Sequence, residues 1–289
     1  MQTVRIGNVN LSYDERGSGH PVLMVHGIPT DNRAWSNQLQ QFSLNFRAIS
    51  ISRRHAYPNK NDGLNVTEST VANNSNDLVS LIQYLKLSQV NLVGHSYGGF
   101  ISLYTAWKHP DLFRSLVLIE PAVPSLLVKN EKSPFELLIF LLTNFSAATS
   151  ARRFQNGNLK LALKSFEERD WNHAVRYFYE GIREKDGSFD TLPPEIQSMM
   201  LDNSLTVGEL ETEFPIFTKE DAKSMKLPTL LVKAQNSPKW LRAIVDVLAK
   251  TLPNQSLVDI PSSCHFPHFE NPSQFNAAVI DFLKKNNPS

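Results

Sequence analysis

Asn91-Leu92-Val93-Gly94-His95-Ser96-Tyr97-Gly98-Gly99 reads as an apolar strand running into a G-x-S-x-G turn, and the run that follows, Phe100 to Lys108, has helical character. A strand-to-helix turn this sharp has no room for a β-carbon at Gly94 or Gly98. It also holds the serine in a strained conformation that projects its hydroxyl. The helix starting there places its dipole and N–H groups beside any oxygen that becomes negative. Ser96 is therefore the candidate nucleophile, and the rest of the chain has to supply a sheet to carry it.

It does so in both directions. Upstream, Thr3 to Ile6 and Asn10 to Asp14 read as strands of a hairpin around Gly7-Asn8, a pair that tolerates the positive φ of a tight turn. Pro21 to Val25, Arg47 to Ser52 and Val90 to Val93 follow, and downstream come Leu116 to Ile119, Thr229 to Lys233 and Ser256 to Ile260. Most are apolar on both faces and separated by crossover-length segments, which predicts an α/β fold: a mostly parallel eight-stranded sheet with helices on both faces. Between Pro121 and Met225 the strand rhythm stops. Ser133-Pro134-Phe135-Glu136 has a capping-box arrangement opening an apolar helix through Phe145, and Trp171, Ala174, Val175, Phe178 and Ile182 mark an amphipathic one. The expected organisation is a core formed by residues 1–120 and 226–289 with a helical cap, 121–225, over the carboxyl edge of the sheet.

The composition suits one such core with an insertion: 289 residues, 41% apolar. Lys plus Arg number 29 against 28 Asp plus Glu, a net charge of +1 with no long basic block, which disfavours nucleic acid as partner. Cys264 is the single cysteine, so neither an intramolecular disulfide nor a cysteine-based metal cluster is available. The start of the chain has no apolar leader. Phe135 to Leu142, the most apolar stretch, contains Glu136 and is too short to span a bilayer. The expectation is a cytoplasmic protein, monomer or homodimer, that takes a small molecule and no membrane partner.

These motifs resemble the α/β-hydrolase superfamily, specifically its capped bacterial members, among them esterases, lactonases, C–C hydrolases, epoxide hydrolases and haloalkane dehalogenases. His26-Gly27-Ile28-Pro29 is similar to the family's HGxP loop, and Ser262-Ser263-Cys264-His265-Phe266-Pro267-His268 to its terminal GHxxH-like segment. Ser52-Arg53-Arg54-His55-Ala56-Tyr57-Pro58 occupies the loop after the fourth strand but departs from the usual D-x-R-G-x-G form. The resemblance implies His265 as general base and the backbone N–H groups of Ile28 and Tyr97 as an oxyanion hole. His268 is the competing base, expected with His26 and His95 to serve structure instead. Cys264, where the family commonly has glycine, is expected to pack, with oxidation beside the base as the alternative.

The acid is the informative departure. The common pattern puts Asp shortly after the seventh strand, where this chain offers Ser237, which cannot stabilise an imidazolium by charge. Glu120 closes Leu116-Val117-Leu118-Ile119-Glu120 and is the favoured acid, at a strand end pointing into the site. Asp246, in a predicted helix Trp240 to Leu252, and Glu209 or Glu211 in the cap are alternatives. A serine nucleophile suits attack on a carbonyl carbon, whereas the epoxide hydrolases and dehalogenases of this superfamily attack with a carboxylate. The expected function is hydrolysis of a carboxylic ester or lactone through Ser96, Glu120 and His265, without cofactor or metal. C–C bond hydrolysis, cofactor-free perhydrolysis and a ligand receptor without turnover are the alternatives. His55 and Tyr57 are candidate substrate contacts; Phe135, Leu138, Ile139, Leu142, Phe145, Trp171 and Phe178 could line an acyl pocket, but most apolar residues at helical spacing pack a cap on its core, and no single one is assigned to binding.

Overall fold

The computed structural model describes residues 1–59, 65–130 and 132–287. A hairpin opens the chain, β1 (Gln2–Ile6) against β2 (Val9–Arg16), with Ile6 opposite Val9 across the Gly7-Asn8 turn. The remaining strands are β3 (Pro21–Val25), β4 (Arg47–Ser52), β5 (Val90–His95), β6 (Phe113–Ile119), β7 (Thr229–Ala234) and β8 (Gln255–Ile260). They form one eight-stranded sheet in the order β1-β2-β4-β3-β5-β6-β7-β8, antiparallel at β1/β2 and β2/β4 and parallel elsewhere. The chain runs from β3 outward to β4, then crosses back to β5 on the other side of β3. That reversal opens a crevice beyond the carboxyl ends of β3 and β5, where open α/β sheets bind ligands.

Strand alternation explains why both faces are covered. Leu23, Val25, Leu92, Leu116, Leu118 and Leu231 pack to one side, with α2 (Val71–Tyr84), α3 (Ser96–Lys108) and α10 (Lys239–Thr251). Val22, Met24, Val93, Val117, Ile119 and Val232 point to the other, against α1 (Ser36–Phe42) and α12 (Pro272–Lys285), which contribute Leu39, Phe42, Phe275, Val279 and Leu283. Both faces being apolar, the central strands read as continuous hydrophobic runs. A short helix, α11 (Pro267–Glu270), follows β8.

Between β6 and β7 lie α4 (Pro134–Thr143), α5 (Phe145–Arg153), α6 (Lys160–Glu167), α7 (Trp171–Arg183), α8 (Pro194–Asp202) and α9 (Lys219–Ser224). The stripe of α7 is buried at Ala174, Val175, Phe178 and Ile182, while Trp171 is half-buried against Phe166, their rings 5.4 Å apart. The helix expected through Phe145 instead breaks at Asn144, whose φ of −143° leaves the helical region. Only half of the expected capping box forms. Ser133 Oγ accepts the Glu136 N–H at 3.3 Å, but the Glu136 carboxylate accepts from Asn130 N–H at 2.9 Å.

Candidate active site

The elbow has the geometry its glycines require. A β-carbon on Gly94 would lie 2.3 Å from Ser102 Oγ, and one on Gly98 would lie 2.3 Å from the His26 carbonyl oxygen. Ser96 has a φ of 53°, a left-handed conformation costly for a residue with a side chain, and it is the first residue of α3, which begins four residues before the predicted start at Phe100. Two more non-glycine residues of this region share that strain: Glu120 with φ 41° and Ser262 with φ 52°. The β3 loop presses against the elbow, so that a β-carbon on Gly27 would come 2.9 Å from Ser96 Cβ. Ile28, next in that loop, is buried, and Tyr97 sits in the first turn of α3, where N–H groups have no intrahelical acceptor.

At the ends of β6 and β7 a fully buried carboxylate is held by three donors. His265 Nδ1–H donates to Glu120 Oε2 at 2.9 Å, Ser237 Oγ–H donates to the same oxygen at 2.6 Å, and Ala234 N–H donates to Oε1 at 2.8 Å. Glu120 and His265 are 0% and 1% exposed. A carboxylate can only accept, so His265 carries its proton on Nδ1 and presents Nε2 as a base. Ser237, in the place where the sequence motif would put an acid, thus hydrogen-bonds to the Glu120 carboxylate. Two backbone-linked contacts tie this pair to the elbow: Ala122 N–H donates to the Ser96 carbonyl at 3.1 Å, and His95 Nε2–H donates to the His265 carbonyl at 2.7 Å.

The competing acids are engaged elsewhere. Asp246 accepts from Lys233 Nζ at 2.6 Å on α10, Glu211 is exposed, and Glu209 is buried against Arg53. His26, His95 and His268 are buried structural groups. His26 donates from Nδ1 to the Gly27 carbonyl at 2.8 Å and accepts the Arg53 N–H at 3.0 Å. Burial, then the Arg53 charge, pushes it well below the usual histidine range. His95 is pushed down by burial and by His265 and His268. His268 stacks on Trp35 at 4.6 Å, and burial followed by His265 lowers it to about 3. A histidine that stays neutral so far into acid is a poor proton acceptor, which argues against His268 as the base. Cys264 is buried, its Sγ–H donating to the Asn236 carbonyl at 3.3 Å; burial raises its pKa, which disfavours the reactive thiolate.

Below the elbow, Arg53 and Glu209 form a fully buried ion pair at 2.7 Å. Ser69 Oγ–H donates to the second Glu209 oxygen at 2.6 Å, and Arg53 Nε–H donates to the His26 carbonyl at 3.1 Å. Asn203 makes a second bridge, donating to Asp31 at 2.7 Å and accepting the Tyr57 N–H at 2.8 Å. Both bridges join the helical insertion to the loops after β3 and β4. Sequence reading had no local signal for partners so far apart in the chain. Tyr57 is 46% exposed with the Arg33 guanidinium 4.4 Å over its ring. His55 is lowered to about 4 by burial and by the neighbouring Arg54 and Arg53 charges. Of the apolar residues expected to supply an acyl pocket, Phe178 is buried and Trp171 half-buried, but Phe135, Leu138, Ile139, Leu142 and Phe145 are exposed. Phe140 is the residue of α4 that is buried, packed with Val128 and Ala147, and the other apolar side chains of the helix stay in solvent.

Comparison with known proteins places this geometry. Over 197 residues the chain is 24% identical to the soluble epoxide hydrolase of Corynebacterium sp., a match covering 67% of this chain and 68% of that one. An esterase from Thermogutta terrifontis superposes with a TM-score of 0.74 at 22% identity, covering 100% of both chains. Est816, described as an N-acyl homoserine lactone degrading enzyme, superposes with a TM-score of 0.62 at 23% identity over 97% of this chain and 100% of its own. The family model for the alpha/beta hydrolase fold matches residues 20–272, and the chain belongs to that family.

Proposed function

We propose that this chain is a cofactor-independent serine hydrolase acting on a carboxylic ester or lactone. The observation that carries this reading is the buried hydrogen bond from His265 Nδ1–H to Glu120 Oε2, 2.9 Å long, beside a serine held at φ 53°. In this mechanism Ser96 Oγ attacks the carbonyl carbon while His265 Nε2 takes its proton. Glu120 stabilises the imidazolium, and the N–H groups of Ile28 and Tyr97 hold the oxyanion. His265 returns the proton to the leaving oxygen, and an acyl-Ser96 ester remains. Water activated by the same histidine then releases the acid and restores the hydroxyl. The carboxylate at the elbow of the epoxide hydrolases is absent here, and an alkoxide is suited to a carbonyl instead. Residues 121–225 act as a cap over a core of 1–120 and 226–289, with His55 and Tyr57 as substrate contacts.

The test is turnover of p-nitrophenyl esters from acetate to palmitate, with N-acyl homoserine lactones alongside, by wild type and Ser96→Ala. The expected result is a p-nitrophenol burst followed by turnover in the wild type only. Efficiency should rise along the acyl series by about 0.8 kcal/mol per buried methylene and then fall once the site is full. An active alanine variant would overturn the mechanism, and wild-type inertness toward both classes would overturn the substrate assignment.

A further inference from the structure

The α4–α5 hairpin is the most exposed apolar surface of the molecule's described residues, and its chemistry singles out one occupant. Phe135, Leu138 and Leu142 fall at i, i+3 and i+7 of α4 and are 70%, 51% and 75% exposed; Phe145, opening α5, is 68% exposed. The hairpin is nevertheless anchored. Ala147 is buried with Val128 and Phe140, while Ala148 and Ala151 pack on the same cluster together with Ala243 of α10. One side of the hairpin is thus docked, and the bulky apolar side is turned to solvent. Contiguous exposed apolar surface of this kind marks an interaction site.

Charge decides between partners. Residues 129–166 contain six Lys or Arg and two Asp or Glu, and from Leu137 to Phe166 there is no acidic residue, in a chain whose net charge is +1. Lys129 and Lys132 precede α4, Arg152 and Arg153 close α5, and all four are exposed. Glu136, the acid on α4, is hydrogen-bonded to the Asn130 N–H at 2.9 Å. Exposed apolar side chains flanked by cations, before α4 and at the close of α5, suit the headgroup boundary of an anionic bilayer. A second copy fits less well, because a two-fold contact sets this patch against itself and brings cations against cations. We propose that the α4–α5 hairpin docks on the surface of an anionic lipid bilayer, its apolar side chains entering the interface and the basic residues that flank it meeting the headgroups. This replaces the expectation of no membrane partner. The contact is peripheral, since no described helix is long and apolar enough to cross a membrane.

Vesicle flotation tests this directly. Wild-type protein should float with phosphatidylcholine vesicles containing about 30 mol% phosphatidylglycerol and roughly tenfold less with phosphatidylcholine alone, and high salt should release it. Leu138→Ser/Leu142→Ser should lose about tenfold in bound fraction, and Arg152→Glu/Arg153→Glu should lose the preference for anionic vesicles. Thermal unfolding checks that each variant is folded; being at exposed positions, the changes should leave it near wild type. Absence of flotation, or flotation undiminished in Leu138→Ser/Leu142→Ser, overturns the proposal. So does a wild-type dimer by light scattering that the leucine variant abolishes, which would assign the face to a second copy.

Discussion

Glu209 and Glu120 are both fully buried near the carboxyl edge of this sheet, and they differ in their partners. Glu209, on the helical insertion, faces the permanent charge of Arg53, with Ser69 on its other oxygen. Glu120, at the end of β6, faces His265 together with Ser237 and the Ala234 N–H, all donors that are uncharged while His265 is neutral. A carboxylate beside a guanidinium has its counter-charge at all times and serves as a clasp. Beside an imidazole it gains one only when the ring takes a proton, so its stabilisation is largest in the transition state, where a catalyst needs it.

The contrast is broken most severely by neutralising each acid in turn. Glu120→Gln should lower kcat by about 10²- to 10⁴-fold, because the amide offers His265 a donor as readily as an acceptor and unsettles the tautomer. Its melting temperature should stay near wild type. Glu209→Gln should do the reverse. Leaving Arg53 buried without a counter-charge should cost about 3–5 kcal/mol in denaturant unfolding, with kcat of the folded protein within about threefold of wild type. Equal activity losses in the two variants would erase the distinction.

The histidines around His265 sharpen it from another side. His26, His95 and His268 have no carboxylate partner, and burial holds each below its ordinary value, His268 at about 3. Unfolded, each titrates near about 6.5. Between these values the unfolded chain binds protons that the folded chain does not. Stability is therefore complete above about pH 6.5 and declines as pH falls, by up to about 1.4 kcal/mol per pH unit for each group. Glu209 and Asp77, both raised by burial, act in the opposite sense, two groups against four once His55, lowered to about 4, is included. Melting curves should show lower stability at about pH 5 than at about pH 7.5; a flat profile would mean these rings become charged in place.

Ser237→Ala is the mildest cut. Sequence reading gives Ser237 no charge to contribute and expects its loss to be nearly silent. The 2.6 Å bond to the oxygen that His265 also uses instead predicts a loss of about three- to tenfold in kcat, about 1 kcal/mol. Unchanged kinetics would show that the Ala234 N–H alone holds Glu120 in place.

The difference between these residues also explains what could be read from the chain. The sheet, the elbow and the strand-end position of Glu120 are legible because each has a local cause: apolar runs, glycines that a turn requires, and apolar flanks that bury a terminal acid. The clasp of Arg53 and Glu209 and the support from Ser237 join residues 156 and 117 positions apart, and no periodicity encodes such pairings. The outward face of α4 is not legible for a related reason. An apolar helix reads as buried until the packing shows that little covers it.

We propose that Glu120, through His265, activates Ser96. Labelling by a fluorophosphonate, followed by peptide mapping and timed intact-mass measurement in wild type and Glu120→Gln, tests it most directly. A single adduct on Ser96 is expected, formed at least about a hundredfold more slowly in the variant. An adduct on another residue, or equal rates in the two proteins, would contradict it.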